Sequence, residues 1–331
     1  MTQKKVTLTV AVLGAGAIAD HHMDAIRSTE GLAACAVADI DLAKAQGIAE
    51  RYQVNAYSDY REMIERERPD AVAIALPHYL HKEAAVFAAA AGCHVMLEKP
   101  MALSVAECDA IIEAAAEAGV RILIGHTQHY MAENLLAKQL VESGELGELV
   151  MIHDVRHMDY YRASRPDWFL EKAKSGGGVL ANLGTHSIDK IQWLTDSAVR
   201  TVRASVTNHG SRGDVEGSGM VYLTLENGVT ATIVQSGYLG APRNETEIIG
   251  TKGMLKLKTG SGLWLSRGGD YEQLDVPRPA TPFELQYREL QAMIQGIGES
   301  GESAAYGRGV IAVLEAVYRS AATGTEQEVI C

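Results

Sequence analysis

Residues 6–19 read VTLTVAVLGAGAIA, and this stretch decides the class of fold. Thr7 and Thr9 alternate with apolar residues, as in a β-strand, and the strand leads directly into a glycine-rich turn. Gly14 permits a sharp turn, and Gly16 lets the backbone approach a ligand without a Cβ in the way. Lys4 and Lys5 followed by an apolar run look like a secretion signal, but the alternation favours a strand that begins the mature fold.

The turn Gly14-Ala15-Gly16-Ala17-Ile18-Ala19 matches the G-x-G-x-x-G/A pattern between a strand and a helix, whose N-terminal N–H groups attract phosphates. Asp39 ends the second predicted strand, where a carboxylate can bind the ribose hydroxyls of a dinucleotide. A 2′-phosphate there would meet Asp39 and Asp41 with no arginine beside them, so the sequence predicts NAD rather than NADP. Alternatively, these two acids cap the next helix. The predicted cofactor residues of this segment are Gly14, Gly16, Ala17, Ile18 and Asp39.

Up to residue 125, short apolar strands alternate with amphipathic helices. This alternation predicts an α/β fold with a doubly wound parallel sheet of the Rossmann type. The predicted strands are Val6–Leu13, Leu32–Asp39, Ala71–Leu76, His94–Leu97 and Arg121–Ile124. The predicted helices are Ala17–Ser28, Leu42–Tyr52, Tyr60–Glu67, Leu80–Ala91 and Val105–Ala118.

Beyond a predicted helix at Ala132–Ser143, longer alternating segments are joined by tight turns, which predicts an α+β domain with an open, mainly antiparallel sheet. Its predicted strands are Leu149–Tyr160, Val199–Asn208, Gly219–Leu225, Val229–Tyr238, Glu245–Ile249 and Met254–Lys258, and its predicted helices are Asn182–Leu194, Phe283–Gly296 and Gly309–Ala322. We therefore expect a cofactor domain over residues 1–125 and a domain for substrate binding and self-association over residues 126–331.

Composition excludes several kinds of partner. The 331 residues carry a net charge of -12, so nucleic acid and anionic membrane surfaces are not expected to bind. The four cysteines show no disulfide or zinc spacing, and no metal site is predicted. We expect a cytoplasmic protein that binds a small molecule, because no apolar run approaches the length of a membrane span.

Several motifs together resemble the glucose-fructose oxidoreductase/inositol dehydrogenase/rhizopine catabolism (Gfo/Idh/MocA) family. Besides the glycine turn, they are Leu76-Pro77-His78 with His81, Glu98-Lys99-Pro100, Gly176-Gly177-Gly178, and Asn182-Leu183-Gly184-Thr185-His186 with Asp189. The resemblance implies an NAD(P)-dependent oxidoreductase that acts on a sugar, polyol or inositol hydroxyl. It also implies cofactor contacts from Pro77, His78, His81, Glu98 and Lys99, and a cis peptide bond before Pro100.

By the same resemblance Lys99 is catalytic and His186 is its partner. The family commonly has Asp where this chain has Asn182, and Asn cannot act as a general base. His186 has a suitable ordinary pKa for moving the hydroxyl proton, whereas Lys99 would need a lowered one. We expect Lys99 and His186 to perform acid–base chemistry and Asn182 to position substrate. Asn182 as a helix cap and His186 as a core residue remain alternatives.

Substrate contacts are predicted in two further places. Gln128 and His129 lie close to where family members place such contacts. Between residues 159 and 168, aromatic and cationic side chains could stack on a sugar ring or hold an anionic group, or could form an ordinary polar loop. The predicted substrate residues are Lys99, Gln128, His129, Tyr160, Arg162, Trp168, Asn182 and His186. The glycine run 176–178 is expected to be a flexible lead-in to the helix of His186.

Three functions are compatible with the predicted cofactor and substrate residues. The first is an NAD-dependent dehydrogenase of a sugar, inositol or related cyclic polyol. The second is an NAD-retaining glycoside hydrolase or isomerase that oxidises its substrate transiently, and the altered residue at 182 keeps it open. The third, less favoured, is a non-catalytic regulator that senses sugar or NAD. Apolar residues on the predicted second sheet indicate a homodimer or homotetramer.

Overall fold

The computed structural model describes residues 7–210, 212–297 and 304–330. Val6, which begins the first predicted strand, and Cys331 lie outside these residues. Residues 7–127 form eleven helices and strands: β1 (Leu8–Leu13), α1 (Ala19–Ser28), β2 (Leu32–Ala38), α2 (Leu42–Tyr52), β3 (Asn55–Tyr57), α3 (Tyr60–Glu67), β4 (Ala71–Ile74), α4 (His81–Ala90), β5 (His94–Leu97), α5 (Val105–Ala118) and β6 (Ile122–Ile124).

The remaining chain continues with α6 (Ala132–Glu142), β7 (Leu149–His157), α7 (Lys172–Ser175), α8 (Thr185–Thr195), β8 (Val199–Thr207), β9 (Ser218–Leu225), β10 (Thr230–Ser236), β11 (Arg243–Gly250), β12 (Met254–Lys258), β13 (Gly262–Ser266), β14 (Glu272–Leu274), α9 (Pro282–Ile294), α10 (Ala304–Thr323) and β15 (Gln327–Glu328). Within the described residues, no helix is long and apolar enough to cross a membrane.

The first six strands pair in parallel in the order β3-β2-β1-β4-β5-β6. Strands β1, β4 and β5 are almost entirely buried, as expected for a sheet covered on both faces. The order reverses next to β1, where folds of this kind bind ligands at the carboxyl ends of the strands. The predicted doubly wound α/β fold is confirmed.

A second sheet has nine strands in the order β14-β13-β12-β11-β7-β10-β9-β8-β15. Most neighbours are antiparallel, as predicted, but β7 and β10 are parallel. Tight turns join β9 to β10 and β11 to β12. Strand β7 lies between β10 and β11 and pairs with both. The short strands β3, β13, β14 and β15 were not predicted.

The chain forms two compact units, and they differ from the linear division expected at residue 125. The first unit takes in Met1–Ala102, Ala106–Thr127 and Ala280–Arg308, and the second takes in the rest. Helix α9 belongs to the first unit because Tyr287 and Leu290 join the core that contains Met23 and Ile26 of α1. Two distant segments thus complete one hydrophobic core, which a linear boundary cannot represent.

Candidate active site

The glycine turn lies between β1 and α1. Gly14 has φ +102°, and a Cβ there would lie 2.5 Å from the carbonyl oxygen of Ala75, so the fold itself requires glycine. At Gly16 a Cβ would meet no atom within 4 Å. No side chain caps the start of α1, where Ile18 is the N-cap residue. Open space beside Gly16 and an uncapped helix N-terminus fit the phosphates of a dinucleotide.

Asp39 is half-buried after β2, and its carboxylate accepts hydrogen bonds from the backbone N–H groups of Ala15 (2.8 Å) and Asp41 (2.9 Å). It therefore fixes the conformation of the glycine turn. The expectation that no arginine lies nearby is wrong. Lys44 and Arg51 line the same surface depression as Gly16 and Asp39 because α2 brings them there.

Both of these cations are paired with acids. The Lys44 ammonium lies 3.4 Å from Asp41, and Arg51 forms an ion pair of 2.7 Å with Asp20. Three carboxylates thus accompany two cations, and the local charge remains negative.

Glu98, Lys99 and Pro100 follow β5, two strands from β1 and therefore about 10 Å across the sheet edge from the glycine turn. The Lys99–Pro100 peptide bond is cis, as the resemblance implies. Lys99 is half-buried, and Glu98 is almost fully buried. A Cβ at residue 125 would lie 3.1 Å from the Glu98 carboxylate, so Gly125 leaves room for this side chain.

A relay of side chains that sequence reasoning missed holds Glu98. His22 Nε2 lies 3.4 Å from the Glu98 carboxylate, and His22 Nδ1 lies 2.9 Å from the Tyr287 hydroxyl. Burial raises the pKa of Tyr287 well above its ordinary value, so Tyr287 remains a neutral phenol beside His22. Tyr287 is more than 180 residues away in sequence, and no motif links it to Glu98.

The charge state of Glu98 follows from this relay. Burial alone would raise the pKa of its carboxyl, but the hydrogen bond from His22 and the nearby charge of Lys99 outweigh it and lower the pKa. The ionised carboxylate also lies 3.3 Å from the backbone N–H of Lys99. Glu98 therefore influences Lys99 in two ways, through the contact with its backbone N–H and through the attraction between the two charges.

The sequence predicts a direct cofactor contact from His81. However, His81 lies on α4 and is fully buried, which leaves no exposed surface for such a contact. Its Nδ1 lies 2.9 Å from the Pro100 carbonyl oxygen and its Nε2 lies 2.9 Å from that of Leu76. Burial lowers the pKa of His81, and the contacts with the Leu76 and Pro100 carbonyl groups offset this effect only in part. His81 therefore links the loops that follow β4 and β5. His78 is nearly as buried, and Pro77 precedes the short helical turn that holds it.

In the second unit, Asn182 and His186 lie on one continuous helical segment. Residues Leu180–Gly184 form a π-helical turn that leads directly into α8, and His186 is half-buried in its first turn. The backbone N–H of Asn182 donates to Gly178, so Asn182 is inside the segment. The alternative that it caps the helix is wrong.

The glycine run 176–178 is packed tightly, which corrects the expectation of a flexible lead-in. A Cβ at Gly177 would overlap the Tyr318 hydroxyl, and one at Gly178 would overlap the Glu216 backbone. The Glu216 carboxylate accepts hydrogen bonds from the N–H groups of Gly178 (2.7 Å) and Leu180 (2.9 Å) and from Tyr318 (2.9 Å). Glu216 therefore fixes the start of the helix that carries Asn182.

Tyr160 is also close to this segment. It is fully buried, its ring is covered by the Arg165 guanidinium 4.0 Å away, and its hydroxyl is hydrogen-bonded by Asn182. Burial raises the pKa of Tyr160, so it remains a neutral phenol. Stacking of its ring on a sugar, as predicted, is excluded because Arg165 already occupies that face. Tyr160 instead orients the Asn182 amide.

The other predicted substrate residues differ in how far they are exposed to solvent. Arg162 is exposed, and Trp168 is half-buried and stacks on Phe169 with ring centroids 3.7 Å apart. Gln128 is buried, and its backbone and side-chain oxygens accept from Asn134. His129 is buried too, 2.5 Å from Asp189 and stacked on Trp193. Gln128 and His129 therefore belong to the interior of the second unit.

Sequence reasoning missed a polar group on the face of the second sheet that α8 covers. Asp154 on β7 accepts a hydrogen bond from Ser187 of α8 and forms an ion pair with Lys190 of the same helix. Arg156 lies two residues further along, on the same face of β7. The signal was available, since charged residues occupy positions in β7 where alternation calls for apolar ones. Among the described residues, no three potential metal-binding side chains converge.

Comparisons with known proteins agree with this architecture. Residues 8–126 match a family model described as oxidoreductase family, NAD-binding Rossmann fold, and residues 134–256 match the GFO/IDH/MocA C-terminal domain. Inositol 2-dehydrogenase 2 of Saccharopolyspora erythraea is 30% identical over 333 residues, covering 96% of this chain and 94% of that protein.

Two further relatives show the range of activities. The 2,7-anhydro-N-acetylneuraminate hydratase of Escherichia coli is 31% identical over 216 residues, covering 64% of this chain and 58% of that protein. The crystal structure of an aldose-aldose oxidoreductase from Caulobacter crescentus in complex with glycerol has a TM-score of 0.90 at 28% identity, covering 97% of this chain and 99% of that one. The chain belongs to the Gfo/Idh/MocA family of NAD-binding oxidoreductases.

Proposed function

We propose that this protein is an NAD-dependent dehydrogenase of a secondary hydroxyl on a sugar, inositol or related cyclic polyol. The observation that carries the proposal is that the open glycine turn and Lys99 share one edge of the parallel sheet in the first unit. The names of the inositol dehydrogenase and aldose oxidoreductase relatives agree with this substrate class.

Bound NAD would supply the hydride acceptor. Gly14, Gly16 and the N-terminus of α1 would hold its phosphates, with Asp39 at the ribose. Lys99 donates a hydrogen bond to the reacting oxygen, and its charge favours the developing alkoxide. His186 receives the hydroxyl proton, and Asn182, oriented by Tyr160, holds a neighbouring hydroxyl. His78 and Pro77 shape the cofactor site, whereas Glu98 and His81 act through the backbone around Lys99.

The preference for NAD over NADP is part of the proposal. Asp39 presents a carboxylate that two backbone N–H groups hold in place, and the paired Lys44 and Arg51 do not reverse the local negative charge. NADP would bring a further negative group to this position. In the wild-type assay we therefore expect a higher kcat/KM with NAD than with NADP.

The test is replacement of Lys99 by Met. The variant should lose at least about 100-fold in kcat, since a group that acts on the reacting oxygen is removed, while the Kd for NAD changes little. Rates are measured as NADH absorbance with inositols and aldoses, and NAD binding by calorimetry. Lys82→Met is the control, because Lys82 is a surface lysine 3.9 Å from Glu107. Full activity of the Lys99 variant would refute the assignment.

A second function is favoured by one specific observation, the 31% identity to a hydratase whose substrate is an anhydro sugar acid. An NAD-retaining hydrolase or isomerase would turn over aryl glycosides or anhydro sugars without accumulating NADH. Asn182, which carries no charge, is compatible with this cycle. The same absorbance assay, run beside a product analysis, distinguishes the two functions. A non-catalytic regulator would bind NAD and ligand without turnover in either measurement.

A further inference from the structure

The face of the second sheet that α8 covers is polar at the carboxyl end of β7. Asp154 points to α8, where its carboxylate accepts from Ser187 Oγ (2.6 Å) and pairs with Lys190 (2.8 Å). Arg156 lies two residues further along the same strand and therefore on the same face. Its partners in register are Gln235 on β10 and Asn244 on β11.

The charges on this face do not cancel. Asp154 is neutralised by Lys190 and is further satisfied by Thr246 Oγ1 at 2.7 Å. Arg156 is half-buried, and within residues 7–210, 212–297 and 304–330 its guanidinium has neither an ion pair nor a hydrogen bond. The face therefore has one uncompensated positive charge, which is costly to hold out of water unless an anion pairs with it.

Gln235 gives a second, independent indication of a ligand. It is 1% exposed, and its Nε2 donates to Ser187 Oγ at 2.9 Å. Its Oε1 is buried and has no hydrogen-bond partner among the described residues. A buried acceptor without a donor lowers the stability of the folded state. A ligand hydroxyl would satisfy it.

These side chains lie beside the predicted substrate residues of the same unit. Ser187 is adjacent to His186, and the Gln235 Oε1 atom lies 3.6 Å from the position of a Cβ on Gly184. Gly184 in turn ends the π-helical turn that contains Asn182. Arg156 and Gln235 are thus neighbours of the segment that runs from Asn182 to His186.

Building on the dehydrogenase activity proposed above, we propose that Arg156 binds a substrate carboxylate and that the substrate is a polyhydroxy acid such as a hexuronate or an aldonate. The planar guanidinium matches a carboxylate with two parallel hydrogen bonds, and Gln235 accepts from an adjacent hydroxyl. One positive charge balances one carboxylate. A phosphate monoester, with a charge of about −1.5 to −2, would leave net negative charge on this buried face.

Three other cations of the second unit already contact other groups. The Arg165 guanidinium covers the rings of Tyr160 and Phe169 at 4.0 and 5.0 Å and donates to the Tyr160 carbonyl. The Lys172 ammonium lies 5.9 Å from the ring centre of Tyr318. The Lys190 ammonium is committed to Asp154.

The experiment compares matched acids and neutral sugars in the presence of NAD. D-glucuronate, D-galacturonate and D-gluconate are assayed against D-glucose, D-galactose and myo-inositol, with wild type, Arg156→Met and Arg156→Lys. Arg200→Met is the control, because it removes the same charge from an exposed position on β8. Binding of each sugar is measured by calorimetry in parallel, and folding by thermal unfolding.

Wild type should prefer an acid, and Arg156→Met should lose about 100-fold in kcat/KM for that acid, mostly through KM. Its activity on neutral sugars should change by no more than about threefold, and Arg156→Lys should be intermediate because it keeps the charge but loses the planar fork. The control should match wild type. Thermal unfolding should show that the Met variant is folded, since the lost guanidinium has neither an ion pair nor a hydrogen bond among the described residues.

The outcomes separate this inference from the dehydrogenase proposal. Oxidation of neutral sugars with no preference for acids, or equal losses on both kinds of substrate, overturns the role of Arg156 and leaves the dehydrogenase intact. Arg156-dependent binding of an acid without NADH formation supports the carboxylate site and counts against the dehydrogenase. Failure of every acid both to bind and to react overturns the inference.

Discussion

The buried Asp154–Lys190 pair shows how single residues hold α8 in place. Both side chains are at most 3% exposed, so removal of one partner leaves a buried charge. We expect Lys190→Met to lower the free energy of unfolding by about 3–5 kcal/mol. Arg66→Met is the control, because its 2.7 Å pair with Glu62 is solvent-exposed and should contribute at most about 1 kcal/mol. Urea unfolding that shows equal losses would contradict this view.

The same pair has a pH signature. Burial raises the pKa of Asp154, but Lys190 and the hydroxyl donors outweigh it, and the folded-state pKa is lowered. The stabilisation is therefore fully present above the unfolded pKa of about 3.9 and is lost as the pH falls below it. Wild type and Asp154→Asn should thus converge in stability below about pH 4, as seen in urea unfolding at a series of pH values.

At the scale of elements, Glu216 and the glycine run determine where the helix of Asn182 and His186 begins. Gly178→Ala should displace the π-helical turn, because the new Cβ would overlap the Glu216 backbone. We expect a loss of about 1–3 kcal/mol in stability and a larger loss in kcat than in NAD affinity. Circular dichroism and steady-state kinetics measure the two effects.

Gly309→Ala is the matched control within α10. A Cβ there would meet no atom within 4 Å, and alanine favours the helix by about 0.5–1 kcal/mol. The two Gly→Ala changes should therefore have opposite signs. Destabilisation by both would show that the glycine run has no special packing role.

Most elements were predictable because their apolar periodicity is local. The glycine turn, the Glu98-Lys99-Pro100 segment and the helix of His186 all lie where their patterns predicted. The relay from Tyr287 through His22 to Glu98, and the Arg156–Gln235 pair, were not predictable because each joins residues on different elements. Glycines 176–178 were wrongly predicted to be flexible. The sequence shows that these residues lack a Cβ, but only the structure shows that neighbouring atoms occupy that space.

At the scale of the whole molecule, the second sheet leaves apolar side chains uncovered. Met151 on β7 and Met220 and Tyr222 on β9 lie on either side of β10 and are 43%, 64% and 46% exposed. Because isolated apolar patches of this kind mark interfaces, we propose that two copies of the chain pair through this face.

Met220→Lys should therefore convert the assembly to monomers, since a charge would be buried in the interface. Light scattering at micromolar concentration measures the mass. Ile330→Lys is the control, because Ile330 is 71% exposed and follows β15, which lies two strands beyond β9 in the sheet order. A monomeric wild type would count against the interface.

Helix α9 has a consequence for folding during synthesis. Its Tyr287 and Leu290 complete the core around Met23 and Ile26, and Phe283 stacks on His21. Strands β7 to β14, eight of the nine strands of the second sheet, precede α9 in the chain, so the ribosome must release them before the first unit can close its core. Until then the nascent chain exposes one face of α1, so chaperone binding or cleavage within α1 should cease only after residue 294 has emerged.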